Sequence, residues 1–348
     1  MKFPKGIEGD YLETKQNYLI FDVKGLLHPK NRKICFIRFY PDTNGERRRN
    51  NILYKKIYNI EERYSFLREN YPQYLFHSNQ YDLELQGVRA KEIKKIYSPR
   101  DHLKKIISKK ELNEINSISL KLCYFLMKEG NFDVNNIGIS GSPMVGLNKN
   151  DSDIDLIIYG TEISHIIQDT LKNLYDSKKN NIRRYNLEEF KKHFQFRAGG
   201  SGISFDEFLR SEKYKLHQGK FNGKDFFIRY LKSPKDWVGS YYDFRFKNNG
   251  RIQLKAKILD STDSIFTPCT YKIKTLKIEY FRSPLNEIKP NEITQINSYR
   301  GRFCEHAKKN DLVFVEGKLE KTIYKDSKIF YRVLLGNLKN DKMIKLTK

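Results

Sequence analysis

The first hundred residues alternate apolar and polar positions in short runs. LIFDV (19–23), KICFIRFY (33–40) and NILYKKIY (51–58) are rich in β-branched and aromatic residues, with turn chemistry such as HPKN and PDTNGE between them. A period of two predicts strands. The period then changes: Asn59 stands at a cap position with Glu62 three residues on, apolar residues recur at helical spacing, and Pro72 closes the segment. Residues 1–99 therefore read as a small α+β domain. Its run Glu46-Arg47-Arg48-Arg49 falls at a hairpin tip, the usual place for a solvated loop, though a basic tip also reaches a phosphate backbone.

A helical stripe opens the next segment. In KKELNEINSISLKLCYFLMKEGN the positions Ile115, Ile118, Leu120, Leu122 and Phe125 mix a helical face with extra burial, and Gly130 ends the run. The stretch GISGSPMVGLNKNDSDIDLIIYG follows, then a second helical pattern, ISHIIQDTLKNLYDS (163–177). After the polar segment NIRRYNLEEFKKHFQFRAGGSG, a helix is expected from Phe205 to Tyr214 and a strand at KDFFIRYL (224–231). Helix, strand, helix, basic linker and strand make residues 100–247 an α/β module.

From about Arg251 the strand period returns. RIQLKAKIL (251–259) sets Ile, Leu, Ala and Ile on one face against Arg, Gln, Lys and Lys on the other. CTYKIKTLKIEYF, LVFVEGKLEKTIY and KIFYRVLLGN continue it, with a short helix expected around Phe303–Lys309. Residues 248–348 fit a small β-rich domain, an OB-like barrel. The whole is an α+β multidomain chain.

Composition adds charge to this outline. Of 348 residues, 66 are Lys or Arg and 42 are Asp or Glu, a formal net charge of +24, and the excess is spread along all three segments. Such a surface favours polyanions, nucleic acid first, through counterion release; a solubilising lysine coat is the plainer alternative. With 39% hydrophobic and 14% aromatic residues the chain is no disordered polyelectrolyte. Cys35, Cys123, Cys269 and Cys304 form no CxxC pair and read as reduced, buried thiols of a cytoplasmic protein. Cys304-x-His306 lacks a second half at metal-ligand spacing. No apolar run reaches membrane-spanning length, and MKFPKGIEGD lacks a signal peptide's apolar core, so no membrane partner is expected.

The chemistry concentrates at Asp153 and Asp155. Two apart on a strand, they share a face, with Ile154 and Leu156 directed into the core. Two adjacent carboxylates repel, and a cation between them relieves that. Hard oxygen ligands select Mg²⁺ or Mn²⁺, typically with one or two carboxylates and substrate phosphates. Upstream, Gly141-Ser142 opens a short helical segment where backbone amides approach phosphate oxygens.

These residues resemble the DNA polymerase β superfamily of nucleotidyltransferases. Its pattern is an apolar strand, Gly-Gly or Gly-Ser, a short helix, then Asp-x-Asp or Asp-x-Glu on the next strand; here IGIS, Gly141-Ser142, ten residues, then Asp153-Ile154-Asp155-Leu156. The resemblance covers roughly residues 110–235, and implies a central nucleotidyltransferase domain between the two β-rich ones. The whole chain is also similar to a group of archaeal proteins with that arrangement, through FDVKGLLHP, GKDFFIRYL and RGRFCEHA.

What the resemblance implies is specific. Asp153 and Asp155 are expected to ligate Mg²⁺ or Mn²⁺, Gly141 and Ser142 to hold the terminal phosphates of an NTP, and the reaction to be transfer of NMP to a hydroxyl. A third carboxylate on a later strand completes the set in active members. Asp225 is the candidate by strand order, although it sits at the strand edge, after Gly223-Lys224, where a turn-exit residue is the other reading. In the basic run before it, Lys213 and Lys220 are candidates to neutralise phosphates, against a solvated helix and loop. Arg197 with AGGSG (198–202) suggests a loop near the site.

Three functions remain open on sequence. The first is a metal-dependent nucleotidyltransferase acting on a nucleic-acid end, with Arg300 and Arg302 of Tyr299-Arg300-Gly301-Arg302-Phe303 as candidate nucleic-acid contacts. The second is nucleotidyl transfer to a protein or small molecule. The third is a non-catalytic nucleic-acid-binding protein with a decayed transferase domain.

Overall fold

The computed structural model describes residues 3–177, 181–198, 201–282 and 288–346, and is a mixed α/β structure with several sheets. It divides into two compact units, one of Met1–Ser78, Leu83–Arg183 and His217–Tyr241, the other of Asn79–Asp82, Arg184–Leu216 and Tyr242–Lys348. Most of the expected segments 1–99 and 100–247 share the first unit, whereas residues 79–82, 184–216 and 242–247 go with the second.

The first unit holds two sheets. The alternating N-terminal runs form β1 (Tyr11–Thr14), β2 (Ile20–Val23), β3 (Arg32–Pro41), β4 (Arg47–Arg49), β5 (Ile52–Lys56), β6 (Leu75–Ser78), β7 (Leu83–Arg89) and β8 (Ile93–Tyr97). They pair antiparallel in the order β4-β5-β3-β2-β1-β8, with β7 on the other part of β3 and β6 beside it. Helix α1 (Ile60–Asn70) begins where expected, with the Asn59 side chain accepting from the Glu61 amide. Its Leu67 joins Phe21, Val23, Cys35, Ile37 and Val88 in a core on the sheet.

The second sheet carries the aspartates. Helices α2 (Pro99–Ile107) and α3 (Glu114–Gly130) precede β9 (Ile137–Ile139), α4 (Gly141–Met144), β10 (Ile154–Tyr159) and α5 (Thr161–Asp176). Then come β11 (Ile182–Arg183), β12 (Gln218–Phe221) and β13 (Lys224–Leu231), the last with the bounds its sequence predicts. The order is β11-β12-β13-β10-β9, and β10 runs parallel to β13. Ile154, Leu156 and Ile158 are fully buried on one face of β10, as alternation requires. On the other face, Ile157 and Tyr159 pack with Phe3, Ile7 and Leu231.

The second unit is built on β14 (Phe244–Asp260), β15 (Cys269–Arg282), β16 (Ile293–Ser298), β17 (Leu312–Tyr324), β18 (Lys328–Leu335) and β19 (Lys342–Lys345). Their order is β14-β15-β16-β18-β17-β19, and β14 also pairs with β17, so five strands make a closed circuit in which β16 and β18 are the parallel pair. Ile252, Leu254, Ala256 and Ile258 form the buried face of β14 inside it.

Two local expectations are corrected here. The segment read as a polar linker contains α6 (Leu187–Ala198), which precedes α7 (Phe205–Glu212). Asn186 and Glu189 exchange side-chain bonds with each other's amides at its start, and Phe190 and Phe194 bury one face against Tyr185, Phe205 and Phe208. The short helix expected at 303–309 is only a turn at Gly301–Phe303, because Cys304 is extended and Glu305 adopts φ 51°, outside any right-handed helix.

Candidate functional site

Asp155 is the centre of the site. It lies half-buried on β10, while Asp153, just before the strand, is exposed. Gly141 is held against it. With φ 73°, a conformation glycine adopts without penalty, Gly141 brings the backbone so close that an added Cβ would overlap Asp155 Oδ2 and lie 3.2 Å from both Cβ and Cγ. The Ser140 amide donates to the Asp155 carbonyl at 2.8 Å, and Ser140 Oγ to the Gly9 carbonyl at 2.6 Å. Ser142 Oγ lies 3.3 Å from Ser152 Oγ, which itself accepts from the Lys149 amide at 2.9 Å. The loop from Gly141 to Asp153 is thus closed on itself at both ends.

The N-terminal sheet grips that loop. Met144, Val145 and Leu147 pack with Tyr11, Ile20, Phe39 and Tyr54. Arg47 is buried and donates to the Leu147 carbonyl at 2.6 Å; Arg49 donates to the Val145 carbonyl at 3.4 Å and pairs with Glu13 at 3.0 Å. The basic run read as a solvated hairpin tip is therefore partly structural. Two of its arginines satisfy loop carbonyls that would otherwise be buried without donors.

A cluster of charges surrounds Asp155. Arg229 on β13 reaches the fully buried Glu8 at 2.8 Å; Lys24 contacts Glu8 at 3.4 Å and Asp22 at 2.7 Å, and the Gly25 amide donates to Glu8 at 2.6 Å. Burial pushes the Asp155 carboxyl above its usual range, and the nearby Arg229, Lys56 and Arg38 oppose that without cancelling it. Asp22 adds to the rise. Asp22 itself is held below the usual range: burial acts upward, but Lys24, Arg229 and Arg38 together outweigh it. Arg229 is likewise kept protonated by Glu8, Asp22 and Asp155 against the effect of burial.

Asp225 stands beside this group in register. The parallel ladder begins with Ile154 opposite Phe226, so Asp153 and Asp225 each precede the first pair, and Asp225 shares a face with Phe227 and Arg229, whose partners are Asp155 and Ile157. Its carboxylate is engaged by Lys220 at 3.2 Å, directly across from it on β12. Lys220 also donates to the Gly223 carbonyl at 3.3 Å. Among the described residues no three His, Cys, Asp or Glu gather as a metal cage.

The remaining sequence candidates lie in the second unit. Lys213 caps the end of α7, exposed, with its ammonium 5.0 Å from the Tyr214 ring centre. Arg300 is exposed; Arg302 is drawn inward, donating to the Arg197 and Asp341 carbonyls at 3.0 Å each and lying over the Phe303 ring. Gly199 and Gly200 of the AGGSG loop lie outside the described residues. All four cysteines are free and buried, and no described helix is long and apolar enough to cross a membrane.

Sequence reasoning missed Glu8, Asp22, Arg38, Lys56 and Arg229 as site residues. Arg229 had a signal, since alternation sets it on the face of Asp225. The others come from the turn before β1 and from strands β2, β3 and β5, far away in sequence, and only the folding of the N-terminal sheet brings them in.

In comparisons with known proteins, the chain is 25% identical over 335 residues to Uncharacterized protein MJ1086 of Methanocaldococcus jannaschii, the match covering 94% of each. No protein-family model matches the chain, and no solved structure does.

Proposed function

We propose that the chain is a metal-dependent nucleotidyltransferase that moves NMP from an NTP to a hydroxyl, with a nucleic-acid end as acceptor. The observation that carries this reading is the contact of Gly141 with the Asp155 carboxylate, beside an exposed Asp153 on the same face. That is how a Gly-Ser loop and an Asp-x-Asp strand meet in a polymerase-β-like core, which is our reading of the second sheet.

Two carboxylates at a solvent-facing strand end suit a Mg²⁺ or Mn²⁺ ion that takes its other ligands from phosphates and water. Asp153 and Asp155 would hold it, and when bound it would neutralise charge on the transferred phosphate. In the reaction the acceptor oxygen bonds to the α-phosphorus, the bond from that phosphorus to the bridging oxygen breaks, and pyrophosphate leaves. Asp225, in register with Asp153 and paired with Lys220 at 3.2 Å, takes the hydroxyl proton. Arg229, locked by Glu8, favours the charged form of Asp155 against the effect of its burial.

The net charge of +24 supports a polyanionic acceptor, and we read the five-strand circuit of the second unit as an OB-type barrel that would help bind it. The pairing of Asp225 with Lys220 favours a second reading, a transferase domain that has lost turnover and serves nucleic-acid binding. Pyrophosphate release separates the two. Each NTP with Mg²⁺ is incubated with tRNA, single-stranded DNA or cellular protein; acceptor-stimulated pyrophosphate supports transfer, and its absence with all three, while nucleic acid still binds, supports the second reading.

A further inference from the structure

Within the first unit Lys220 engages Asp225, which leaves the phosphate-binding cations unassigned. The N-terminal sheet supplies two others. Strands β3 and β5 pair with Phe39 opposite Lys56, and Arg38 precedes Phe39 where the pairing of β3 with β2 shifts register. Both lie over one ring, Tyr58, with Lys56 Nζ 4.4 Å and Arg38 Cζ 5.7 Å from its centre. Arg47 approaches the neighbouring Phe39 ring at 5.7 Å, and Lys56 Nζ reaches that ring at 6.0 Å. Three cations are thus gathered around two aromatic rings.

Arg47 is committed to the Leu147 carbonyl, but the other two are not committed to any group. Among the described residues, neither Arg38 nor Lys56 has a carboxylate within ion-pair distance, and Arg38 Nε is buried without an acceptor. Both are nevertheless close enough to act on Asp155, and Lys56 on Asp153 as well. Crowding has a visible effect: burial, then Arg38 and Arg47, push the Lys56 ammonium down to about 8, with the two aspartates only partly opposing. Like charges held together without a matching anion are unfavourable, and a bound polyanion removes that cost. The aspartates themselves repel a phosphate until a metal ion covers them. Cations at their rim are therefore where a polyphosphate chain extending from the metal finds its counter-charge.

We infer that Arg38 and Lys56 bind the terminal phosphates of the nucleoside triphosphate, so that the N-terminal sheet completes the nucleotide site. This rests on the function proposed above. It also selects the substrate class, since a ligand needs a chain of phosphates, rather than one, to reach both the aspartates and this pair.

The test is calorimetric titration of the full chain, in Mg²⁺, with inorganic tripolyphosphate, pyrophosphate and phosphate. Affinity is expected to rise with chain length. Arg38→Gln/Lys56→Gln is expected to weaken tripolyphosphate on the order of tenfold or more, the loss of two charge-assisted contacts. Lys274→Gln/Lys277→Gln, the same charge change on exposed positions of β15, is expected to stay within about twofold, because exposed surface charges are screened. Equal weakening in both variants overturns the inference. Single Lys56→Gln, which removes no hydrogen bond of the fold, is titrated alongside and is expected to lose at least about threefold; no loss again overturns the inference. Transfer assays on the same variants separate it from the reading it rests on. Tripolyphosphate binding that depends on Arg38 and Lys56, with no NMP transfer to any acceptor, keeps the phosphate site and rejects the transferase. Transfer with unchanged KM for NTP in the double variant keeps the transferase and rejects the phosphate site.

Discussion

Substituting alanine at Gly141 tests the geometry on which the site depends. The backbone there has φ 73°, and moving an L-residue into the left-handed region costs roughly 1–2 kcal/mol. The added Cβ also overlaps Asp155 Oδ2, so the carboxylate has to turn away from its rotamer, at about 0.5–1.5 kcal/mol. Gly146 offers a matched control in the same loop. Its φ is 69°, but the nearest atoms to an added Cβ are Arg49 Cδ and Cγ at 3.7 and 3.8 Å, ordinary contacts. Gly146→Ala should therefore lose about 1–2 kcal/mol and Gly141→Ala about 1.5–3.5, read by urea unfolding of the full chain. Transfer activity should separate the two more widely: a displaced catalytic group costs on the order of a hundredfold, so Gly141→Ala should lose that much and Gly146→Ala only a few-fold. In a double-mutant cycle, Asp155→Ala should relieve part of the Gly141→Ala penalty, with a coupling of at least about 0.5 kcal/mol. Equal stability and activity of the two alanine variants, or an additive cycle, would refute the view that Gly141 positions Asp155.

Three further outcomes follow from buried charge. Burial pushes the Asp10 carboxyl up to about 7, despite donation from the Gly6 and Ile7 amides and the charge of Arg100. The native state then holds a proton the unfolded chain has lost between about pH 4 and 7, so stability falls as pH rises through that window, by up to roughly 4 kcal/mol. Asp10→Asn should remove the fall and gain stability at pH 8 but little at pH 4; identical pH profiles in denaturant melts would contradict this. Arg229→Met leaves Glu8 buried beside Lys24 alone and should destabilise by about 3–5 kcal/mol, with Glu8→Gln/Arg229→Met recovering much of it; a loss below about 1 kcal/mol in the single variant would show the pair is dispensable. In the second unit, Glu212→Gln removes the buried partner of Lys215 and should cost a similar amount, whereas Lys191→Gln, in an exposed pair with Glu188, should change stability by less than about 0.5 kcal/mol.

Local pattern carried much of the fold. The alternation in RIQLKAKIL gave the buried face of β14 residue by residue, and the bounds of β13 coincide with KDFFIRYL, because strand faces depend on neighbours in sequence. Helix α6 was missed although Asn186-x-x-Glu189 was in plain view, since the surrounding lysines and arginines masked its aromatic stripe. The candidate site was legible where it is local: the approach of Gly141 to Asp155 lies within one loop and the strand after it. What could not be read were the contributions of the N-terminal sheet. Arg38, Lys56, Asp22 and Glu8 reach Asp155 and Arg229 only through packing between sheets far apart in the chain, and no period or spacing encodes that. The run at Glu46–Arg49 shows the same limit. Its charge suggested solvent, whereas the carbonyls of Val145 and Leu147 needed its donors.

The most direct measurement of the central claim is transfer of label from the α-phosphate of each NTP, with Mg²⁺, to tRNA, single-stranded DNA and cellular protein, comparing the wild type with Asp153→Asn/Asp155→Asn. Label is expected on nucleic acid with the wild type and none with the variant, both forms binding nucleic acid equally. Label transferred equally by both, or by neither, would contradict a catalytic role for the aspartate pair.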